Sequence, residues 1–160
     1  MVRAVLTALL LAFALFPTVA MGQDKPALPQ LEGMVQAPLR LDEAMLRSLP
    51  AASIDISFLA SSGTEKGHFT GVLLWDVLQK AGLVNGAGKN AQLRHAILVT
   101  GRDGYAAAIA EGEIDPSYED KKVIIAFEGD SVSFDHLRLL VPGDAHGGRS
   151  VSDLATIEVK

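Results

Sequence analysis

Two helical patterns early in the chain and a run of short strands after them specify a mixed α+β domain. A third observation limits it to one domain. Once an N-terminal leader is set aside, roughly 138 residues remain, enough for a single ordinary core. Residues 41–50 form the first helical pattern: Leu41, Met45, Leu46 and Leu49 share one face, Asp42 and Glu43 open it, Arg47 lies near its end and Pro50 stops it. The alternation of Ile54, Ile56 and Phe58 with Asp55 and Ser57 then signals a half-buried strand. Residues 60–68 are polar and rich in Gly, Ser and Thr, and are expected as a loop. The stronger helix spans 73–81. Leu74, Val77, Leu78 and Ala81 make its buried stripe, Trp75 belongs to the same core, and Gly82 suits a left-handed cap. Beyond a Gly/Asn turn at 85–90, strands are expected at 95–100, 105–109, 123–127, 137–141 and 156–160, with turn signals between them. No internal repeat is visible.

The leader is the segment 1–22. Arg3 supplies a positive start, residues 4–16 are an uncharged apolar run, and Pro17 precedes the small-residue stretch Thr18-Val19-Ala20-Met21-Gly22. That run is too short to span a membrane, and cleavage after Ala20 or Gly22 fits a secretory signal; an uncleaved anchor is the alternative. The expected location is periplasmic or secreted, with no membrane insertion after cleavage. Residues 23–38, with Pro26, Pro29 and Pro38, are expected as a linker or extended lead-in, and 39–160 as the domain. Loss of Arg3 with the leader moves the net charge from −5 to about −6. An acidic chain without a polybasic run is not a nucleic-acid binder. It contains no cysteine, which excludes disulfides, thiolate metal ligands and cysteine nucleophiles.

Several chemical motifs fail on inspection. Gly86-Ala87-Gly88-Lys89-Asn90-Ala91 follows a helix instead of a strand, so it is a turn and not a dinucleotide loop. Gly82 and Gly88-Lys89 miss phosphate-loop spacing by one residue, and Asn90 stands where Ser or Thr is needed. No Gly-x-Ser-x-Gly elbow exists, and His68, His95, His136 and His146 are scattered without metal-site spacing. What survives is binding of something small by shape and polar contacts.

An ordered series of short segments carries a more specific signal. Leu41-Asp42-Glu43-Ala44-Met45-Leu46-Arg47-Ser48-Leu49-Pro50 is followed by Phe69-Thr70-Gly71-Val72-Leu73-Leu74-Trp75-Asp76-Val77-Leu78 with Ala81-Gly82. Then come Asp103-Gly104-Tyr105, the strand Val123-Ile124-Ile125-Ala126, Leu137-Arg138-Leu139-Leu140-Val141-Pro142-Gly143, Arg149-Ser150-Val151 and Ile157-Glu158-Val159. In this order the segments resemble the sulfite-oxidase-type molybdopterin-binding domain family over most of 39–160. The resemblance implies one α+β domain of mixed, short-stranded sheets with a few helices.

Departures from the family pattern shape the functional expectation. Catalytic members carry a molybdenum-ligating cysteine just before the Trp-x-Gly segment; here residues 61–68 fill that place without one. Phe69 replaces the usual Trp, Asp135-His136 replaces a Gly-x-Pro, and Ser152 replaces a lysine that suits the cofactor's phosphate. The chain also stops at Lys160, without the dimerisation domain of larger members. Loss of the thiolate removes the protein's own bond to the metal. The resemblance therefore implies a pterin- or molybdopterin-type binding domain, with molybdenum and redox turnover not expected. It also implies an exported sensor or accessory protein reporting to a membrane signalling or redox partner. A molybdenum oxidoreductase with unusual ligation and a partner-binding scaffold with no ligand are the alternatives.

Six residues are candidate ligand contacts, with no catalytic or metal-binding residue among them. Asp103 can accept two donors from a pterin edge beside the phenol of Tyr105, or can simply make the turn with Gly104. Arg138 stands between core leucines, where a charge needs a partner, and the resemblance implies a ligand. His146 and Arg149 lie in a glycine-rich loop able to close over a ligand. His68 lies near the position of the missing thiolate.

Overall fold

A computed structural model of the chain describes residues 27–160. The expected leader, 1–22, lies outside the described residues. Nine strands and three short α-helices follow in the order β1 (Gln30–Gly33), β2 (Leu39–Arg40), α1 (Glu43–Arg47), β3 (Ala51–Ala60), β4 (Gly63–Leu73) and α2 (Leu74–Ala81). After these come β5 (Ala96–Gly101), β6 (Ala106–Ala110), α3 (Glu111–Ile114), β7 (Ile124–Glu128), β8 (Arg138–Leu140) and β9 (Leu154–Val159). The fold is α+β, as the sequence specifies. No described helix is long and apolar enough to cross a membrane.

The strands make two sheets. One has the order β2-β1-β9-β5-β6, with β9 in the centre, parallel to β1 and antiparallel to β5. The other is fully antiparallel in the order β3-β4-β7-β8. The main core joins Leu31, Ile97, Val99 and Ile157 of the first sheet to Val72, Ile125 and Leu139 of the second. The buried stripe of α2 (Leu74, Val77, Leu78 and Ala81) completes it, with Leu46 of α1 and the half-buried Trp75. A second cluster gathers Ile56, Phe58, Phe69, Ile124, Ala126 and Leu140. Because side chains alternate along a strand, β7 divides between the two: Ile125 enters one cluster, Ile124 and Ala126 the other.

Local chemistry sets the helix ends. The Asp42 carboxylate accepts the Met45 amide at 2.7 Å, and Glu43 pairs with Arg47 at 2.7 Å, one turn apart. Gly82 closes α2 with φ of 73°, a conformation that favours glycine.

Two expectations need correction, and one element had none. Residues 63–68 are strand, not loop: Ala60 pairs with Gly63 and Asp55 with His68, so β3 and β4 form a long hairpin around Ser61 and Ser62. Polar residues occupy this stretch because the hairpin's outer part is largely exposed, and its backbone pairing needs no apolar side chains. The stretch taken as lead-in contains β1, whose Leu31 is fully buried and pairs with Ile157. Gly33 sits against β9 with φ of 97°, where a Cβ would collide with the Val159 carbonyl. The helix α3 had no expectation; at four residues it is too short to show a periodic pattern.

Candidate functional site

A cleft of about 740 Å3 opens where the β3–β4 hairpin meets two loops. The hairpin supplies Phe58, Leu59, Ala60, Ser61 and Glu65; β8 supplies Arg138; the β5–β6 turn supplies Tyr105; and the loop after β8 supplies His146, Gly147 and Gly148. Its position follows from topology. The loop 143–149 is tied to the end of β3 by the Leu59 amide donating to the Ala145 carbonyl at 3.0 Å, and Gly147 lies against the Phe58 ring.

Arg138 is the most deeply placed charge in the cleft, its side chain 16% exposed. Leu139 next to it faces the main core, so Arg138 projects from the opposite face of β8. Its Nη1 and Nη2 donate to Glu65 Oε1 and Oε2 at 2.5 and 3.1 Å, a two-pronged pair, and its guanidinium lies 6.0 Å from the Phe58 ring. Its Nε is buried with no protein partner. Glu65 is the more open member of the pair, at 32% exposed. The Tyr105 hydroxyl donates to the Gly148 carbonyl at 2.5 Å, latching the β5–β6 turn to the glycine loop, while 48% of the residue remains exposed.

The structure thus brings Arg138 and His146, from β8 and the loop after it, together with the distant Tyr105, and leaves the other three expected contacts elsewhere. Asp103 makes its own turn, its Oδ1 accepting the Tyr105 amide at 2.9 Å. His68 is exposed on β4 and pairs across the hairpin with Asp55 at 2.9 Å. Arg149 does not line the cleft but holds its loop in place. It donates to both Asp144 oxygens at 2.8 and 2.6 Å, and to Glu113 Oε2 of α3 at 2.6 Å.

That clamp perturbs its members. The Arg149 hydrogen bond, aided by nearby positive charge, outweighs partial burial and holds Asp144 below the usual carboxylate range. Burial pushes the Glu113 carboxyl up, but hydrogen bonds from Arg149 and the Ala110 amide, with the Lys121 charge, bring it below its ordinary value. Bonding to Asp144 and Glu113 raises Arg149 further.

No family model and no curated protein matches the chain. Solved structures do. The fold is shared with a sulfane dehydrogenase. One match is to the crystal structure of the sulfane dehydrogenase SoxCD from Paracoccus pantotrophus, with a TM-score of 0.65 and 16% identity. It covers 84% of this chain and 38% of that one, so the chain spans well under half the length of its structural neighbour. At this identity the likeness shows a distant relationship of fold and nothing finer.

Whether the site suits molybdenum is decided by its donors. The chain has no thiolate to offer, and among the described residues no three His, Asp or Glu side chains converge on one point. The residues do not fit the metal. A flat heterocycle is different, because the cleft offers an aromatic side chain (Tyr105), a carboxylate, a guanidinium and backbone of glycines. Sequence reasoning missed Glu65 and Phe58. The available signal was indirect: a strand arginine between core leucines demands a carboxylate, and Glu65 sits in a stretch whose polarity masks its role.

Proposed function

We propose that the chain is an exported binding module whose cleft takes a small, flat, polar heterocycle of the pterin class, without metal redox turnover. The observation that carries this reading is the convergence of Arg138 with Glu65, Tyr105, His146 and the Gly147–Gly148 backbone around one cleft. At about 740 Å3 the cleft lies within the range of small-molecule sites. Tyr105 offers a half-exposed ring for a heterocycle to lie against, and the ion pair and loop backbone offer acceptors and donors for its edges. The fold shared with a sulfane dehydrogenase and the sequence resemblance to sulfite-oxidase-type domains support a site descended from a redox cofactor pocket. The missing thiolate supports binding over turnover.

Export belongs to the proposal and is supported by the pattern of residues 1–22. A protein partner, membrane-bound and signalling or redox in kind, would read the occupied state from the 143–149 loop, which closes one wall of the cleft.

The test is anaerobic purification of the mature protein from its native compartment, with denaturing mass spectrometry for released small molecules and molybdenum counted on the same sample. A metal-free pterin near one per chain is the expected result. Molybdenum with a molybdopterin would instead restore an oxidoreductase, and an empty protein would favour a scaffold.

A further inference from the structure

Asparagine is scarce in this chain: Asn85 and Asn90 are its two examples, both in the turn between α2 and β5, and Asn85 is followed by Gly86. An asparagine side chain and the amide of the next residue can close a ring, which makes the residue thermally labile. Closure is easiest where the next residue has no Cβ, its amide carries no hydrogen bond, and the carboxamide is free to rotate onto it.

Asn85 meets all of these conditions. Asn85 and Gly86 are exposed and belong to no helix or strand. Among the described residues neither the Asn85 carboxamide nor the Gly86 amide has a hydrogen-bond partner. A cation also stands close by. A Cβ at Gly86 would meet Arg94 Nη2 at 3.6 Å, and that nitrogen is held in place by donating to the Ala87 carbonyl at 2.7 Å. A guanidinium there favours release of the amide proton and stabilises the oxyanion that forms as the nitrogen attacks. Arg94 is exposed, so water and salt limit that help to a severalfold effect.

Two positions of like chemistry are protected. Asn90 precedes Ala91, which carries a Cβ and is 5% exposed, and its own backbone is fixed in the left-handed region with φ of 54°. At Asp103-Gly104 the Gly104 amide donates to the Gly101 carbonyl at 3.0 Å, and Asp103 Oδ1 accepts the Tyr105 amide at 2.9 Å. Both reacting groups are therefore engaged.

We infer that Asn85 is a self-modifying site, converted without an enzyme to aspartate and isoaspartate through a succinimide with Gly86, and that Arg94 promotes the ring closure. The Gly86 nitrogen bonds to Asn85 Cγ and gives up its proton, the Cγ–Nδ2 bond breaks, and ammonia leaves carrying that proton. Water then opens the ring at either carbonyl, giving an ordinary aspartyl link or an isoaspartyl link with an additional main-chain methylene. Nothing is oxidised or reduced. Each conversion places a negative charge beside Arg94. The isoaspartyl form also lengthens the backbone next to Val84, whose amide donates to the Met34 carbonyl at 2.9 Å and ties this turn to the end of β1. None of this depends on what the cleft binds.

The test is incubation of the full mature protein in mildly alkaline buffer, with tryptic peptides mapped by mass spectrometry at successive times. Cleavage after Lys80, Lys89 and Arg94 places Asn85 and Asn90 in separate peptides. The peptide 81–89 is expected to change steadily from amide to acid and to split into two chromatographic isomers, while 90–94 and the peptide beginning at Asp103 stay unchanged. Gly86→Ala should slow the conversion severalfold, because its methyl hinders the attack. Arg94→Lys should keep the rate and Arg94→Gln should lower it severalfold. Retention of the amide in 81–89, while the isolated peptide of that sequence converts, would mean that the fold protects Asn85 and would overturn the assignment. Equal conversion of Asn85 and Asn90, or an unchanged rate in Gly86→Ala, would overturn it too. An unslowed Arg94→Gln would remove the role of Arg94 and leave Asn85 as the site.

Discussion

Arg149 never reaches the cleft, yet it holds one of the cleft's walls in place. Its replacement by Ala leaves Asp144 and Glu113 without their strongest partner, and a cost of about 2–3 kcal/mol is expected in urea unfolding at pH 7. Both carboxyls titrate below their ordinary values in the folded chain, so their contribution is complete above the ordinary carboxylate range. It disappears as pH falls through their lowered folded values. The difference between Arg149→Ala and the parent protein should therefore narrow steadily from pH 5 towards pH 2 (about the range over which such carboxylates protonate). A fully buried pair behaves in the opposite way. His95 Nδ1 and Glu111 Oε2 meet at 2.5 Å, each side chain 3% exposed, and burial, only partly offset by His95, raises the Glu111 carboxyl. A raised carboxyl favours the folded state at low pH, and that contribution fades as pH climbs through its folded value. Glu111→Ala takes the Nδ1 partner from a buried imidazole whose Nε2 already has none, and is expected to cost about 3 kcal/mol at pH 7 by the same unfolding measurement.

At the level of elements the β3–β4 hairpin carries the site, and two glycines test how. Gly71 lies at the bulge between β4 and β7, where a Cβ would strike the Ile125 carbonyl, a backbone atom that cannot step aside. At Gly147 a Cβ would come within 2.6 Å of the Phe58 ring. Gly71→Ala is expected to lower stability by about 2 kcal/mol or more, whereas Gly147→Ala should chiefly weaken ligand binding by pushing the 143–149 loop off β3. Thermal melting beside ligand titration separates the two outcomes. The contrast between α2 and this hairpin also shows what a sequence can reveal. The stripe at 74, 77, 78 and 81 is a local period, visible without knowing what it packs on. Residues 63–68 become strand through pairing with Ala51–Ala60, and nothing in Thr64, Glu65, Lys66 or His68 marks that by itself.

For the whole molecule, β1 has the largest consequence. A chain shortened to 39–160, the domain boundary the sequence suggests, would lose Leu31 from the core and leave one side of β9 unpaired. Loss of Leu31 alone removes about 2–5 kcal/mol, enough to take much of the stability of a domain this size. The shortened chain should melt far below 27–160 in circular dichroism, or fail to fold. The same long-range pairing explains what the sequence concealed about the site. Arg138, Tyr105 and His146 were legible as charge or ring in unusual company, and the folded chain unites them. Asp103, His68 and Arg149 had the same chemistry, but nearer partners claim them: the turn, Asp55 and Asp144. Glu65 had no signal of its own, because the arginine that demands a carboxylate lies 73 residues away and only the fold introduces them.

The central strand of the larger sheet, β9, is also the most C-terminal strand among the described residues. Until Leu154–Val159 emerges from the ribosome, β2-β1 and β5-β6 are two separate ribbons with an empty slot between them. A polypeptide made from its N-terminus cannot close that sheet until this strand arrives. Trimming the final strand by a protease, or losing it to a premature stop, would return the molecule to that unfinished condition.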